Sequence, residues 1–492
     1  MRLFRTLVVF VMWAVASMTW ASAPLWGDLN GDGVITAVDI SMAVNDIAEG
    51  QYWVEHDLNE DSEINAADLS TIVNIAAGLD NEQRETAYKP SGTLPVLHID
   101  IEGYVAVTSK DVYSRGTYWL DPCGQPGVQA LGSESKPLSL QIKGRGNYSW
   151  IQKKKPYRLK LDKKAAMAGM PPSKHWTLLA HVRCPLNNTM GFKAGRLLGM
   201  DYVPNEKPVE VVMNGRYIGL YFLTEKIRVE SGKVDIEEQE DGETDPEKVT
   251  GGWLLEIDNS YEPDHQIIVK HPKGRTLMIT YHSPEELSEV QHDYISTFLN
   301  DVNNAIYGDS VSAYIWDRID VDALVRYYIT QEIICNPESF LGSCFMSKER
   351  GEDTKLVFGP LWDMENAFWH VELGNDNCTH DFIFNYPDSP YLYHWIDRLH
   401  KDPVFCKRLY YQYKEFYNDH VQELIDYVAD AAQIIRPGVM ADFKRWPDFK
   451  DGNFDGRILL FQKWLREKAE FLRTQWLGKH IGDEPTEKDK NR

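Results

Sequence analysis

The sequence predicts a large α+β domain, strands first and helices after, preceded by a small helical module built on a duplicated acidic loop. Three observations carry this. LSLQI, YRLKL, VEVVM and YIGLYFL are short runs of strand-like composition. From about residue 284, EELSEVQHDYISTFLNDVNNAI and VDALVRYYITQEIIC place apolar residues at helical spacing. Near the N-terminus, DLNGDGVITAVD (28–39) returns 29 positions later as DLNEDSEINAAD (57–68).

The chain has 492 residues, 26% charged and 43% hydrophobic, with a formal net charge of -22. That composition supports a sizeable core, and its acidity argues against nonspecific nucleic-acid binding. Residues 1–23 read as a signal peptide: Arg2 and Arg5, then the apolar run LVVFVMWAVA, then Ala21-Ser22-Ala23. Export is therefore expected, with no stable membrane insertion after cleavage. No later segment is apolar enough to span a bilayer. None of the six cysteines forms a CxxC pair, which argues against a zinc or redox motif.

The duplicated loops occupy residues 24–80. Oxygen side chains fall at loop positions 1, 3, 5, 9 and 12: Asp28, Asn30, Asp32, Thr36 and Asp39, then Asp57, Asn59, Asp61, Asn65 and Asp68. Val34 and Glu63, at position 7, would add backbone carbonyls. Hard oxygen donors at this spacing suit two calcium ions. Gly33 supplies the turn at position 6, where the second copy has Ser62. Without metal the carboxylates would repel one another, so the isolated module is expected to fold only with calcium. Its far-UV circular dichroism should differ between calcium and EDTA; identical spectra would refute this. The module resembles a type I dockerin, a small all-α calcium-binding domain. That resemblance implies docking onto a cohesin domain of a scaffold protein, in an extracellular or cell-surface complex. The family's recognition positions fall on Ala37, Val38, Ala66 and Ala67.

Residues 81–93, polar with Pro and Gly, read as a linker, 94–480 as the large domain, and 481–492 as a polar tail. The stretch 142–161, IKGRGNYSWIQKKKPYRLKL, is a basic island in an acidic chain. Glycines flank Arg145, and PYRLKL alternates apolar and basic residues as a half-buried strand does. It reads either as a polyphosphate cradle or as a solvated basic hairpin. Asp363 leaves the segment KLVFGPLWD with Glu365 two residues on, which suits a Mg²⁺ site or, alternatively, a helix N-cap. Glu225 and Glu256 are candidate partners of the basic strand, or ordinary salt-bridge residues. DGNFDG (451–456) starts like a calcium loop but has Leu459 and Gln462 at positions 9 and 12, so it reads as a surface turn.

In order, IKGRGNYSW, KKPYRLKL, NGRYIGLYFLTEKI, GGWLLEID, IDVDALVRYYITQEI and GPLWDMENAF resemble the spore-coat protein H (CotH) kinase family over about 380 residues. The resemblance implies an atypical protein-kinase-like fold, with a strand-rich N-lobe and a helical C-lobe. It also implies transfer of phosphate from ATP, with Mg²⁺, to a protein acceptor that the sequence does not name. Carried over, Arg145, Lys155, Arg158 and Lys160 fall in phosphate-binding strands, and Asp363 takes the metal-binding position. Glu338 stands where the family has its catalytic Asp, Glu365 where an Asp is common, and Asn187-Asn188 where it has Arg-Asn. These departures leave two readings open: a dockerin-anchored kinase, or a catalytically silent kinase-fold module of a cohesin–dockerin complex. A carbohydrate-active component is a third, weaker reading, prompted by the 15 Trp.

Overall fold

A computed structural model describes residues 25–81, 86–181, 183–258, 260, 262–270, 276–308, 311, 313–372, 374, 376–386, 395–447 and 453–478. The expected signal peptide and polar tail lie outside the described residues, as does the start of the DGNFDG turn. Among the described residues no helix is long and apolar enough to cross a membrane.

The N-terminal module consists of α1 (Ala37–Glu49) and α2 (Ala66–Ala76), each following one acidic loop. The loop sequence itself starts each helix. Thr36 and Asp39 form a capping box on α1, and Asn65 and Asp68 form one on α2. Trp26, Leu29, Ala43, Leu58 and Ile72 close a small apolar core between the helices.

The strand-rich part forms a closed barrel in the order β1-β2-β3-β4-β5-β7-β6. Its strands are β1 (Val96–Ile101), β2 (Ser114–Asp121), β3 (Leu138–Gly144), β4 (Tyr157–Ala165), β5 (Ser173–Leu179), β6 (Glu206–Met213) and β7 (Arg216–Glu225). Closure comes from parallel pairing of β1 with β6, Val96 opposite Glu210. On β4, Tyr157, Leu159 and Leu161 enter the barrel core, which turns Arg158 and Lys160 outward. Helix α3 (Asn187–Leu197) bridges β5 and β6. All ten residues of β7 are buried, because it is covered on both faces. Tyr221 and Leu223 join the barrel core, while Leu220 and Phe222 join the core of the helical part.

A second sheet, in the order β12-β11-β8-β10-β9, links the barrel to the helices. It comprises β8 (Trp253–Asp258), β9 (Gln266–Lys270), β10 (Thr276–Ser283), β11 (Cys344–Lys348) and β12 (Leu356–Phe358). The helical part contains α4 (Glu289–Tyr307), α5 (Val321–Ile333), the short α6 (Trp369–Glu372) and α7 (Ile396–Leu399), α8 (Pro403–Asp419), α9 (Val421–Arg445) and α10 (Phe454–Trp476). Helices α8 and α9 part at His420.

Helix α9 packs along β7. Gly219 permits this: a Cβ there would meet Asp442 Oδ1 at 2.2 Å. Asp442 Oδ1 instead accepts from Leu220 N (2.8 Å) and from the buried Lys154 Nζ (2.7 Å). Helix α9 ends at Arg445, against the N-terminal module. Further contacts hold the module there. Arg216 donates to the carbonyls of Val54 and Asp57, 2.8 Å each, and stacks on Trp26. Asn214 donates to Glu55 at 2.9 Å. The described end of the expected linker is also pinned: Ala87 N and Thr86 Oγ1 donate to Glu60, and Ser91 N donates to Glu210.

Candidate functional site

A cavity of about 760 Å³ opens where the barrel meets the second sheet. One wall is cationic. Arg145 and Arg158 come from the β3–β4 hairpin, Lys226 and Arg228 from the segment after β7, and Arg183 from the loop after β5. Arg145 sits between Gly144 and Gly146, and the ring of Trp150 fills the space a Cβ on Gly144 would need. Burial lowers the Arg145 pKa, and Asp363 opposes that shift. Arg158 Nε, Arg183 Nη1 and Arg228 Nε are buried donors with no hydrogen-bond partner among the described residues. Such donors are costly unless something accepts from them. Five cationic side chains lining one cavity, Arg145, Arg158, Arg183, Lys226 and Arg228, suit an anionic ligand.

Acids line the same cavity: Glu338, Asp363, Glu365 and Glu256. Asp363 adopts a left-handed backbone (φ 48°), so it is not the helix N-cap that was the alternative reading. Its side chain is exposed to the cavity, within dense protein surroundings. That desolvation raises its pKa; Arg145 offsets part of the rise and Glu365 adds to it. Glu338 is half-buried in the turn after α5. Desolvation raises its pKa too, against a hydrogen bond from Asn366. Glu256, on β8, holds His282 Nε2 at 2.6 Å. Burial raises its pKa and His282 opposes the rise.

Glu365, expected beside the metal, makes close protein contacts of its own. Its carboxylate pairs with His181 Nδ1 and accepts from Arg183 N at 3.0 Å. Burial alone would lower the His181 pKa, but Glu365 outweighs it and raises it. Asn187 donates to the carbonyls of Glu365 (2.7 Å) and Ala367 (3.2 Å). Asn188 Oδ1 accepts from Met364 N at 2.6 Å. The two asparagines therefore clamp the turn that presents Asp363.

Three expected site residues lie apart from the cavity lining. Lys155 Nζ donates to the carbonyls of Trp150 and Gln152 and lies over the rings of Trp53 and Trp150. Burial pushes its pKa down to about 8. It fixes the hairpin that carries Arg145. Lys160 is exposed on β4, two residues beyond Arg158 on the same face. Glu225 is buried at the end of β7 and accepts from Asn205 N (2.9 Å) and Nδ2 (2.8 Å). Sequence reasoning missed Arg183, Lys226 and Arg228. The last two were visible in TEKIRV, where cations alternate with apolar residues just past a strand.

His175, on β5, reports on the cationic wall. Burial first, then Arg228 and Lys226, pull its pKa down to about 4. An anion bound on that wall would cancel part of the field. The His175 titration, followed by NMR, should therefore move upward when inorganic triphosphate is added. An unchanged titration would place the anion elsewhere.

In the N-terminal module, Asp28 accepts from the amides of Gly31, Asp32 and Gly33, and Asn30 and Asp32 accept from Asp32 N and Val34 N. The second loop repeats this with Asp57, Asn59 and Asp61. Asp39 and Asp68, fully buried, accept from amides at loop positions 2, 3 and 9. Two curled loops whose donors are all hard oxygens fit calcium.

The chain thus joins a barrel and a helical part around a cavity lined by cations and carboxylates, and carries a small module of two calcium-type loops ahead of them. The chain belongs to the CotH kinase protein family, whose model matches residues 142–472. The type I dockerin domain model matches residues 26–75 ahead of it. No curated protein matches the chain. Dockerins of this type bind calcium and typically bind cohesin, which points to an extracellular or cell-surface complex. The CotH match begins inside β3, so β1 and β2 of the closed barrel lie before it.

Proposed function

We propose that this protein is an exported, dockerin-anchored atypical protein kinase that transfers the γ-phosphate of ATP to a surface or extracellular protein. The large domain would run from 94 to 480, with the barrel as N-lobe and the helices as C-lobe. The observation that supports this most is the set of cations that line one cavity together with Asp363. Arg145, Arg158, Lys226 and Arg228 would hold the phosphates. Asp363 would hold Mg²⁺, which neutralises charge on the transferred group when bound. Glu338, with its raised pKa and its Asn366 contact, would orient the acceptor hydroxyl and take its proton. In the dockerin module, Asp28, Asn30, Asp32, Val34, Thr36 and Asp39 would hold one calcium ion. Asp57, Asn59, Asp61, Glu63, Asn65 and Asp68 would hold the other. A cohesin of a scaffold protein would be the docking partner.

A second reading, a silent kinase-fold module, is favoured by Glu365, whose carboxylate is committed to His181 and Arg183. One experiment separates the two. Mg²⁺-dependent ATP binding and autophosphorylation are measured for the wild type and for Glu338→Asp. The kinase reading expects ATP binding in both, with turnover retained or increased in the variant, because the shorter acid restores the family's reach. Binding without any transfer supports the silent module. No nucleotide binding in either would remove the kinase reading.

A further inference from the structure

The two calcium loops are alike in sequence but not in surroundings. In the first, Asp28 accepts from backbone amides, and Gly33 at position 6 faces open space, with nothing within 4 Å of a Cβ built on it. The second loop is covered on one side by the large domain, while Asn59, Asp61 and Glu63 stay exposed. Asp57 is 0% exposed, and its Oδ2 accepts from Ser62 N (3.0 Å), Tyr52 Oη (2.6 Å) and Arg445 Nη2 (3.2 Å). Arg445 is 1% exposed and belongs to the large domain, at the end of α9. Its Nη1 donates to Ser62 Oγ at 2.9 Å, and its own carbonyl accepts from that hydroxyl at 3.0 Å. Ser62 holds the left-handed conformation (φ 70°) that the first loop gives to glycine. These two hydrogen bonds offset the cost of a side chain in that region.

We propose that Arg445 is a resident cation of the second loop. It keeps that loop folded and seated on the large domain without calcium, and it weakens calcium binding there relative to the first loop. The proposal rests on the calcium reading of the loops. A guanidinium bonded to the position-1 carboxylate neutralises the charge that would otherwise unfold the empty loop. The same guanidinium sets a positive charge one carboxylate away from the seat of a divalent cation, on the buried side of that seat. At an effective dielectric near 20, that repulsion exceeds the roughly tenfold to hundredfold gain from orienting a ligand. Among the described residues the first loop has no comparable side-chain cation on Asp28, so it depends on the metal.

Hydrogen–deuterium exchange on the wild-type full chain tests this without mutation. In EDTA, amides of 57–76 should stay protected while those of 28–49 lose protection; added calcium should restore the first set. Equal loss in both halves would overturn the proposal. Calcium titration calorimetry of the full chain gives the second arm. Two sites of unequal affinity are expected, with Asp28→Asn removing the tighter and Asp57→Asn the weaker. Arg445→Met should tighten the weaker site by about tenfold or more and leave the other within about twofold. Equal sites in the wild type, or a weaker second site in Arg445→Met, would overturn it. Absence of calcium binding at either loop would overturn the calcium reading itself, and the proposal with it.

Discussion

Asp363→Asn is expected to reduce autophosphorylation by about a hundredfold to a thousandfold, the size of losing one pre-placed charge at a reacting phosphate. The substitution keeps the side-chain volume and removes the metal-binding charge. It also removes the carboxylate that opposes the lowered pKa of Arg145. Metal-free ATP should therefore bind as well as before or more tightly, since a repulsive group has left the cavity. The split between binding and transfer is the signature. A misfolded variant would lose both. Full transfer activity in Asp363→Asn would place the metal on another acid of the cavity.

Glu332→Ala is expected to lower the stability of the large domain by about 3–5 kcal/mol, the cost of stranding a buried charge. Glu332 on α5 and Lys468 on α10 are both 0% exposed and pair at 2.8 Å. Glu332 also accepts from Ile383 N, at 3.3 and 3.2 Å, while Lys468 donates to the Asp381 carbonyl. Truncating the acid leaves an ammonium without its counter-charge in the apolar interior. Replacing both residues, as in Glu332→Leu with Lys468→Met, should cost much less, because no lone charge remains. Denaturant midpoints of the full chain at fixed calcium give the comparison. If Glu332→Ala matches the wild type, the pair is not a structural lock.

Much of the local structure was legible because local patterns decide it. The alternation in PYRLKL placed Leu159 inward and Arg158 outward, and the calcium-loop spacing doubled as two helix caps. What stayed hidden depends on contacts far apart in the chain. Alternation tells which face of a strand is buried but not which strand pairs with it, so the β1–β6 closure was invisible. Strands β2, β5, β9, β10 and β11 also went unread. The run Lys153-Lys154-Lys155 looked like one cationic feature. The structure divides it: Lys154 is buried against Asp442 and Lys155 is tied to hairpin carbonyls. Glu332 sits in the apolar run YYITQEIIC, where nothing announces that its partner lies on another helix.

The mounting of the docking module sets a bearing for the cavity. A flexible tether of 81–93 would let the large domain sweep a sphere of about 20 Å radius around its anchor. Pinned at Arg216, Arg445 and Ser91, the domain instead stands off its anchor like a bracket. The exposed recognition positions on α1 and α2 and the cavity mouth then keep one relative heading. Substrates carried on the same scaffold would be served according to where they sit along it rather than how near they are. Moving an acceptor by one station would matter more than raising its concentration.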